Sequence, residues 1–341
     1  METKYIAAAV QASPTIMDKQ ATIDKAVALI EEAAQQKARL ICFPECFVSA
    51  YPNWSIDLQI PTEWPNLFAD FVESSIEIPG PEVEQLAKAA KKANAYVAIG
   101  VNEQSGLYPG RLFNTILFLS PAGEIIGIHR KIFPTNREKL FHTMGDGSTM
   151  NVFQTEIGRL GGLICYEHLQ PLLKYTMFSK GEQVHYASWP GWPDFKAQGG
   201  RSNRHVVDIA SRAYALEGQV FVVCSSMYVP EEQIPQHIQN ASWSYFGGSC
   251  IIAPDGEYVT EPVYGQETIV YGEIDLRKIL VRKAAVDTTG KDSRWDMVNL
   301  RLREEPDVAL NGGQFTSPRP DKILPYGTGP INQENEEGEE E

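Results

Sequence analysis

Of the five cysteines in the chain (Cys42, Cys46, Cys165, Cys224 and Cys250), Cys165 is the one that stands where a nucleophile has to stand. It follows the apolar run Leu160-Gly161-Gly162-Leu163-Ile164 and precedes a segment with helical patterning. A sharp turn from strand to helix exposes the residue at the turn and aims the first helical N–H groups at it. Those groups lower a thiol pKa and supply donors for an oxyanion. On position alone, a core cysteine at a strand end is an equal alternative. Glu45 closes a second short strand, in Phe43-Pro44-Glu45-Cys46, where Pro44 stops the ladder near a sheet edge. A carboxylate there, with apolar neighbours, has a raised pKa and serves as a base near neutrality. Alone, a helix cap or a surface glutamate is the simpler reading. Lys131 ends the basic triplet His129-Arg130-Lys131, ordinarily a solvated face. Glu138 lies beyond Pro134 and is unremarkable by itself.

The elements that must position these groups alternate along the chain. Residues 5–11 read as a buried strand, and residues 18–36 as a helix with Ile23, Val27 and Ile30 on one face. A short strand at 40–43 leads to Glu45. Pro81 opens a helix to about residue 94, and residues 96–101 form the next strand. Strands 112–119 and 125–129 flank the turn Pro121-Ala122-Gly123, which places Lys131 just past a hairpin. Strand 159–164 delivers Cys165. A helix at 169–180, a strand at 183–187, a helix at 203–217 closed by Gly218, and a strand at 220–224 follow. A second hairpin, 249–259, turns at Pro254-Asp255-Gly256, and a last strand covers 267–274. The two hairpins echo each other, as an internal duplication or as two good turns. The pattern is α/β with mixed rather than purely parallel sheets. Gly and Pro punctuate the chain beyond residue 310, so we expect one domain over residues 1–310 and an extended, partly disordered acidic tail over 311–341.

Composition narrows the function classes. The net charge is −14, and Glu334, Glu336, Glu337, Glu339, Glu340 and Glu341 supply six of the negative charges, leaving about −8 on the body. That balance argues against nucleic acid or an anionic membrane as partner. No apolar run reaches the roughly 20 residues that span a bilayer, and the first residues lack a signal-peptide layout, so a cytoplasmic location is expected. The cysteines are odd in number and lack CxxC spacing, so neither a disulfide framework nor a structural zinc site is expected.

Taken together, Phe43-Pro44-Glu45, His129-Arg130-Lys131 and Cys165-Tyr166-Glu167-His168 resemble the Glu–Lys–Cys hydrolases of the nitrilase superfamily, in the same order and with similar spacing. The resemblance runs from Ala7 to about Leu300. Three separated motifs are more specific than any one. Cys165-Tyr166-Glu167-His168-Leu169-Gln170-Pro171-Leu172 is similar to the signature of the true nitrilase branch. So are Lys131-Ile132-Phe133-Pro134-Thr135 with Glu138 and Gly145-Asp146-Gly147, and the run from Glu182 to Pro190. Thr289-Gly290-Lys291-Asp292-Ser293-Arg294 matches more loosely. The chain departs from the branch at Tyr166, where Trp is commoner, at Asn136-Arg137, at His142 and at Trp295.

The resemblance implies a four-layer αββα sandwich with two mixed β-sheets, no metal and no organic cofactor. It also implies homodimers that build larger homo-oligomers or spirals. It assigns Cys165 as nucleophile, Glu45 as general base, Lys131 as charge stabiliser and proton donor, and Glu138 as the group that positions Lys131 or water. Tyr51, Trp54, Trp189 and Pro190 fall near catalytic strand ends as an expected apolar pocket wall. Tyr166 and His168, beside Cys165, complete the expected substrate contacts. The implied activity is hydrolysis of nitriles to carboxylic acid and ammonia, with aryl or arylaliphatic substrates expected and some amide by-product. An amidase or carbamoylase, a cyanide dihydratase and a catalytically silent assembly protein are the alternatives. The four intact polar residues weigh against the last.

Overall fold

In a computed structural model of the chain, the structure describes residues 2–52, 64–191, 204–234 and 245–306. The elements, in chain order, are β1 (Lys4–Gln11), α1 (Lys19–Gln35), β2 (Ala38–Cys42), α2 (Trp64–Glu73), α3 (Pro81–Ala93), β3 (Tyr96–Gln104), β4 (Leu112–Leu119) and β5 (Ile125–Arg130). Then come β6 (Phe153–Thr155), β7 (Gly158–Ile164), α4 (Pro171–Ser179), β8 (Val184–Trp189), α5 (Arg204–Gly218) and β9 (Phe221–Ser226). The last are β10 (Tyr228–Val229), β11 (Tyr245–Ile252), β12 (Tyr258–Tyr264), β13 (Thr268–Asp275) and α6 (Arg277–Lys283).

Local chemistry sets the helix ends. Asp18 caps α1 by accepting the Ala21 N–H at 3.0 Å, and Ile23, Ala26, Ile30 and Ala33 form its buried stripe. Pro81 opens α3, Glu82 and Glu84 occupy its positive first turn, and Asn94 ends it in the left-handed conformation. Gly218 departs from its expected role. It is the last residue of α5, and the left-handed residue beyond it is Gln219, with φ 57°. Gly218 is needed for packing, because a Cβ there would lie 2.6 Å from a Phe178 ring carbon.

The strands form two mixed sheets, ordered β13-β1-β2-β3-β4-β5 and β10-β11-β9-β8-β7-β6, with β12 on β11. Alternation along β1 shows how the layers form. Ala8 and Val10 pack under α1 and α3, while Ala7 and Ala9 face the second sheet. The second sheet in turn packs α4 and α5 through Met177, Phe178, Ala210, Tyr214 and Ala215. The result is an α–β–β–α sandwich, as the resemblance implies.

The two hairpins occupy equivalent places. Read from one side of each sheet to the other, β5-β4-β3-β2-β1-β13 and β12-β11-β9-β8-β7-β6 pair antiparallel, antiparallel, parallel, parallel, antiparallel. Gly123 and Gly256 have φ 80° and 81°. The Ser120 and Ala253 N–H groups each donate to the glutamate carbonyl beyond the turn at 2.8 Å. The sequence echo is therefore matched by a repeated sheet topology.

Pairing sense puts the motifs at one end. β1, β2 and β3 are parallel, and β5 runs with them because two antiparallel steps separate it from β3. The C-terminal ends of β2 and β5, and the start of β4, therefore share one sheet end. β2 is interior, so Glu45 is not near a sheet edge. Its burial comes from neighbours on both sides. Among the described residues no helix is long and apolar enough to cross a membrane.

Candidate active site

Glu45 follows β2 on a tight turn in which Cys46 has φ 48°. Its N–H donates to the Trp189 carbonyl at 3.2 Å, joining the end of β2 to the end of β8 across the two sheets. The Tyr186 hydroxyl donates to the Phe43 carbonyl and makes a second tie. Gly100 on β3 lets this turn approach, since a Cβ there would come within 2.6 Å of Cys46 N and 2.8 Å of the Glu45 Cα.

Lys131 follows β5 and is completely buried. Its Nζ donates to Glu45 Oε1 at 2.8 Å and to Glu138 Oε2 at 2.7 Å. Glu138 sits on a short 3₁₀ turn, Asn136–Leu140, where its Oε2 also accepts the Thr135 N–H at 2.9 Å. The capping interaction that shapes this turn thus also aims the carboxylate at Lys131. Asn114, at the start of β4, donates through Nδ2 to Glu45 Oε1 at 2.7 Å and to Glu138 Oε1 at 2.8 Å. One ammonium and one amide therefore hold two carboxylates side by side.

Burial decides the electrostatics. It works against the Lys131 charge, but Glu138 and Glu45 outweigh it and hold the lysine well above its usual range. Burial pushes Glu45 up to about 7 against the pull of Lys131, and the negative Glu138 adds to the rise. Glu138 is buried as well, yet Lys131 and then His142 hold it well below the usual carboxylate range. The two carboxyls are thus driven apart, one a permanent anion and the other able to exchange protons near neutrality. Glu45 Oε2 is buried and has no hydrogen-bond partner among the described residues, whereas Oε1 is held twice.

Cys165 directly follows β7 and takes φ 53°, the left-handed region that a non-glycine residue enters at a cost of about 1–2 kcal/mol. Its thiol lies within electrostatic reach of Lys131, Tyr51 and Cys46. The helix expected at 169–180 begins two residues later, so its first N–H groups are not at the cysteine. Cys165–Leu169 is a 3₁₀ turn, and α4 starts only at Pro171. Glu167 braces this turn against the lysine strand. It accepts the Ile164 N–H and His129 Nε2–H through Oε2, and the Ile132 N–H through Oε1, each at 2.8 Å. Despite burial, His129 and these N–H groups keep Glu167 below its usual range.

The expected substrate contacts are placed unequally. Tyr51 joins the polar cluster, its hydroxyl 3.2 Å from Glu138 Oε2 and its ring 5.8 Å from Lys131 Nζ. Tyr166 is half-buried beside Cys165. His168 is buried beneath Cys165 with both ring nitrogens engaged, and the Trp189 ring stacks on it at 5.0 Å. Trp189 thus packs behind Cys165. Pro190 is buried at the end of β8, and Trp54 lies outside the described residues. His142, the departure in the lysine loop, is bound to Asn102 Oδ1 at 2.8 Å and stands 3.5 Å from Glu138. Among the described residues no group of three His, Cys, Asp or Glu side chains is arranged to hold a metal ion.

Sequence reasoning passed over Asn114, Glu167 as a brace, and Gly100. Asn114 had a signal, a lone amide inside the apolar run of β4. Gly100 had none, because its role depends on a turn distant in sequence.

The chain is 40% identical over 304 residues to a nitrilase of Bacillus sp. (strain OxB-1), covering 87% of each chain. It is 36% identical over 311 residues to an aliphatic nitrilase of Rhodococcus rhodochrous, covering 89% of this chain and 84% of that one. Its fold matches Saccharomyces cerevisiae Nit3, of branch 10 of the nitrilase superfamily, with TM-score 0.69 and 24% identity over 86% of this chain and 98% of that one. The carbon–nitrogen hydrolase family profile matches residues 6–282, and the chain belongs to that family, the nitrilase superfamily.

Proposed function

We propose that this chain is a nitrilase that converts organic nitriles and two waters to a carboxylic acid and ammonia, with Cys165 as the nucleophile. The observation that carries the reading is the Glu45 carboxyl: Oε1 fixed by Lys131 and Asn114, Oε2 unpartnered, and a proton affinity near neutral pH. Glu45 takes the thiol proton as the sulfur adds to the nitrile carbon. The nitrogen gains the electron pair, and Lys131 stabilises and protonates it, leaving a thioimidate. Glu45 passes that proton back to Lys131, 2.8 Å away, which restores both charges, and then deprotonates a water that attacks the same carbon. Collapse with loss of ammonia leaves a thioester, and a second water releases the acid. Collapse with loss of the thiol instead releases an amide. Glu138 orients Lys131 and favours the return of its charge after each proton transfer, and the Tyr166 N–H is the candidate oxyanion donor.

Two aromatic rings beside the cluster, Tyr51 and Tyr166, support aryl or arylaliphatic nitriles as substrates. Exposed Leu169, Leu172, Ile209 and Leu216 on the α4 and α5 layer support homodimers that build larger assemblies of this cytoplasmic enzyme. An ammonia-release screen over benzonitrile, phenylacetonitrile, aliphatic nitriles, cyanide and matched amides tests the reading. Turnover of the aromatic nitriles is the expected result. Turnover of amides alone would make the chain an amidase, cyanide alone a cyanide dihydratase, and no turnover a silent member of the family.

A further inference from the structure

Behind the nucleophile runs a file of four buried polar side chains that the reaction above does not use. His168 Nδ1 is 2.7 Å from the Cys165 carbonyl oxygen, and His168 Nε2 is 2.9 Å from His185 Nε2. His185 Nδ1 is 2.8 Å from Glu182 Oε1, and the Tyr214 hydroxyl donates to Glu182 Oε2 at 2.5 Å. The residues come from the Cys165 turn, β8, the residue stretch just before β8, and α5. Stacking holds the rings: His168 on Trp189 at 24°, and His185 on Tyr214 at 26° with centroids 3.7 Å apart. Gly161 on β7 reserves the space for Glu182, because a Cβ there would strike Glu182 Oε1.

Proton counting restricts this file. A carbonyl oxygen only accepts, so His168 Nδ1 carries a proton. The two Nε2 atoms face each other and share one proton between them. If both rings are neutral, His185 Nε2–H donates to a bare His168 Nε2. His185 Nδ1 is then bare, and Glu182 must donate to it as a neutral acid. The other fillings place an imidazolium at His185 or His168 and a carboxylate at Glu182, a charge pair made without water. The nearby charges offer no remedy. Glu167 is met by His129 and two backbone N–H groups, and Lys174 by Glu217 at 2.5 Å. Burial pushes Glu182 up to about 8 and His168 down to about 3, and drives His185 well below its usual range. The neutral filling prevails.

We propose that Tyr214, Glu182, His185 and His168 form a neutral, one-directional hydrogen-bond relay whose last donor, His168 Nδ1, anchors the Cys165 carbonyl and so positions the nucleophile. The consequence follows from the planar trans peptide, in which C=O and the next N–H point in opposite directions. Fixing the Cys165 carbonyl toward His168 turns the Tyr166 N–H the other way. The same contact holds the left-handed Cys165 backbone, and donation along the file polarises the Cys165–Tyr166 peptide. The four are positioning residues. Their role rests on Cys165 being the nucleophile, but the protonation pattern does not.

Nitrogen NMR of the full-length protein labelled at histidine nitrogens tests the pattern without turnover, in wild type and in Cys165→Ala. The expected signature is a bare Nδ1 and protonated Nε2 at His185, and the reverse at His168, constant across about pH 6 to 7. Glu182→Gln should keep the pattern and wild-type kcat within about threefold, since an amide donates to His185 and accepts from Tyr214 as the neutral acid does. Glu182→Leu should lower kcat by at least about tenfold with KM nearly unchanged, because the lost term is placement in the transition state. An imidazolium signature at either ring, or Glu182→Gln failing where the relay needs only a neutral donor, overturns the proposal. If Glu182→Leu does not fold, the Glu182→Gln spectrum and rate decide it. Loss of the nucleophile reading would instead appear as retained turnover in Cys165→Ala, with the histidine pattern unchanged.

Discussion

Replacing Glu138 with glutamine removes one negative charge beside Glu45 and leaves a side chain of the same shape. Both carboxylates bind Lys131 Nζ and Asn114 Nδ2 at 2.7–2.8 Å. Their facing oxygens are therefore on the order of 5 Å apart, and two unit charges at that distance repel by about 3 kcal/mol at an effective dielectric of about 20. At about 1.4 kcal/mol per pKa unit, the variant lowers the Glu45 pKa by roughly 2 units. Lys131 retains Glu45 as its one carboxylate partner, which acts in the same direction. Glu45 has to be ionised to accept the thiol proton, so kcat/KM of the wild type falls as pH drops through about 7. In Glu138→Gln the same limb should lie near pH 5, by roughly 2 units. Ammonia release against pH measures it. The rate of Cys165 alkylation by iodoacetamide over the same range reports the same ionisation if turnover is slow. An acid limb that stays in place or moves upward would refute the assignment of Glu45 as the base raised by Glu138.

Cys165→Ala should abolish turnover, Glu45→Gln should reduce kcat by about 10²–10⁴-fold and Lys131→Ala by about 10²–10³-fold, and steady-state assays that find wild-type rates in any of them sink its role. Gly100→Ala forces a Cβ against the Glu45 turn and should cost about 1–3 kcal/mol in urea denaturation, with kcat falling as well. Glu167→Gln turns an amide toward three donors and should cost about 1–3 kcal/mol, read by the same denaturation. Glu182 holds its proton in the folded chain up to about 8, whereas an unfolded glutamate loses it near its ordinary value. The folded state therefore binds more protons across that window, and stability should fall as pH rises through it. Glu182→Gln should flatten that slope, and an unchanged slope would place the proton elsewhere.

Motifs at strand ends, caps and turns were legible in the sequence because each is a short-range code. Pro81 and the two Pro-x-Gly turns specify their local backbones by chemistry that acts within a few residues. The order of Glu45, Lys131 and Cys165 carried the family because all three follow strands. What the sequence alone left open was every relation between distant residues. It did not show that β2 lies inside its sheet, that one amide on β4 bridges two carboxylates, or that Gly218 yields to a phenylalanine ring. His168 and Trp189 show the limit most clearly. Their neighbours in sequence suggested a pocket wall, and the packing of two sheets placed them behind Cys165. Cys165 could be singled out from its strand. The proton affinity of Glu45, and the direction in which the Cys165 carbonyl points, come from burial and from partners brought across the sandwich. Desolvation and hydrogen-bond geometry exist only once the layers have closed.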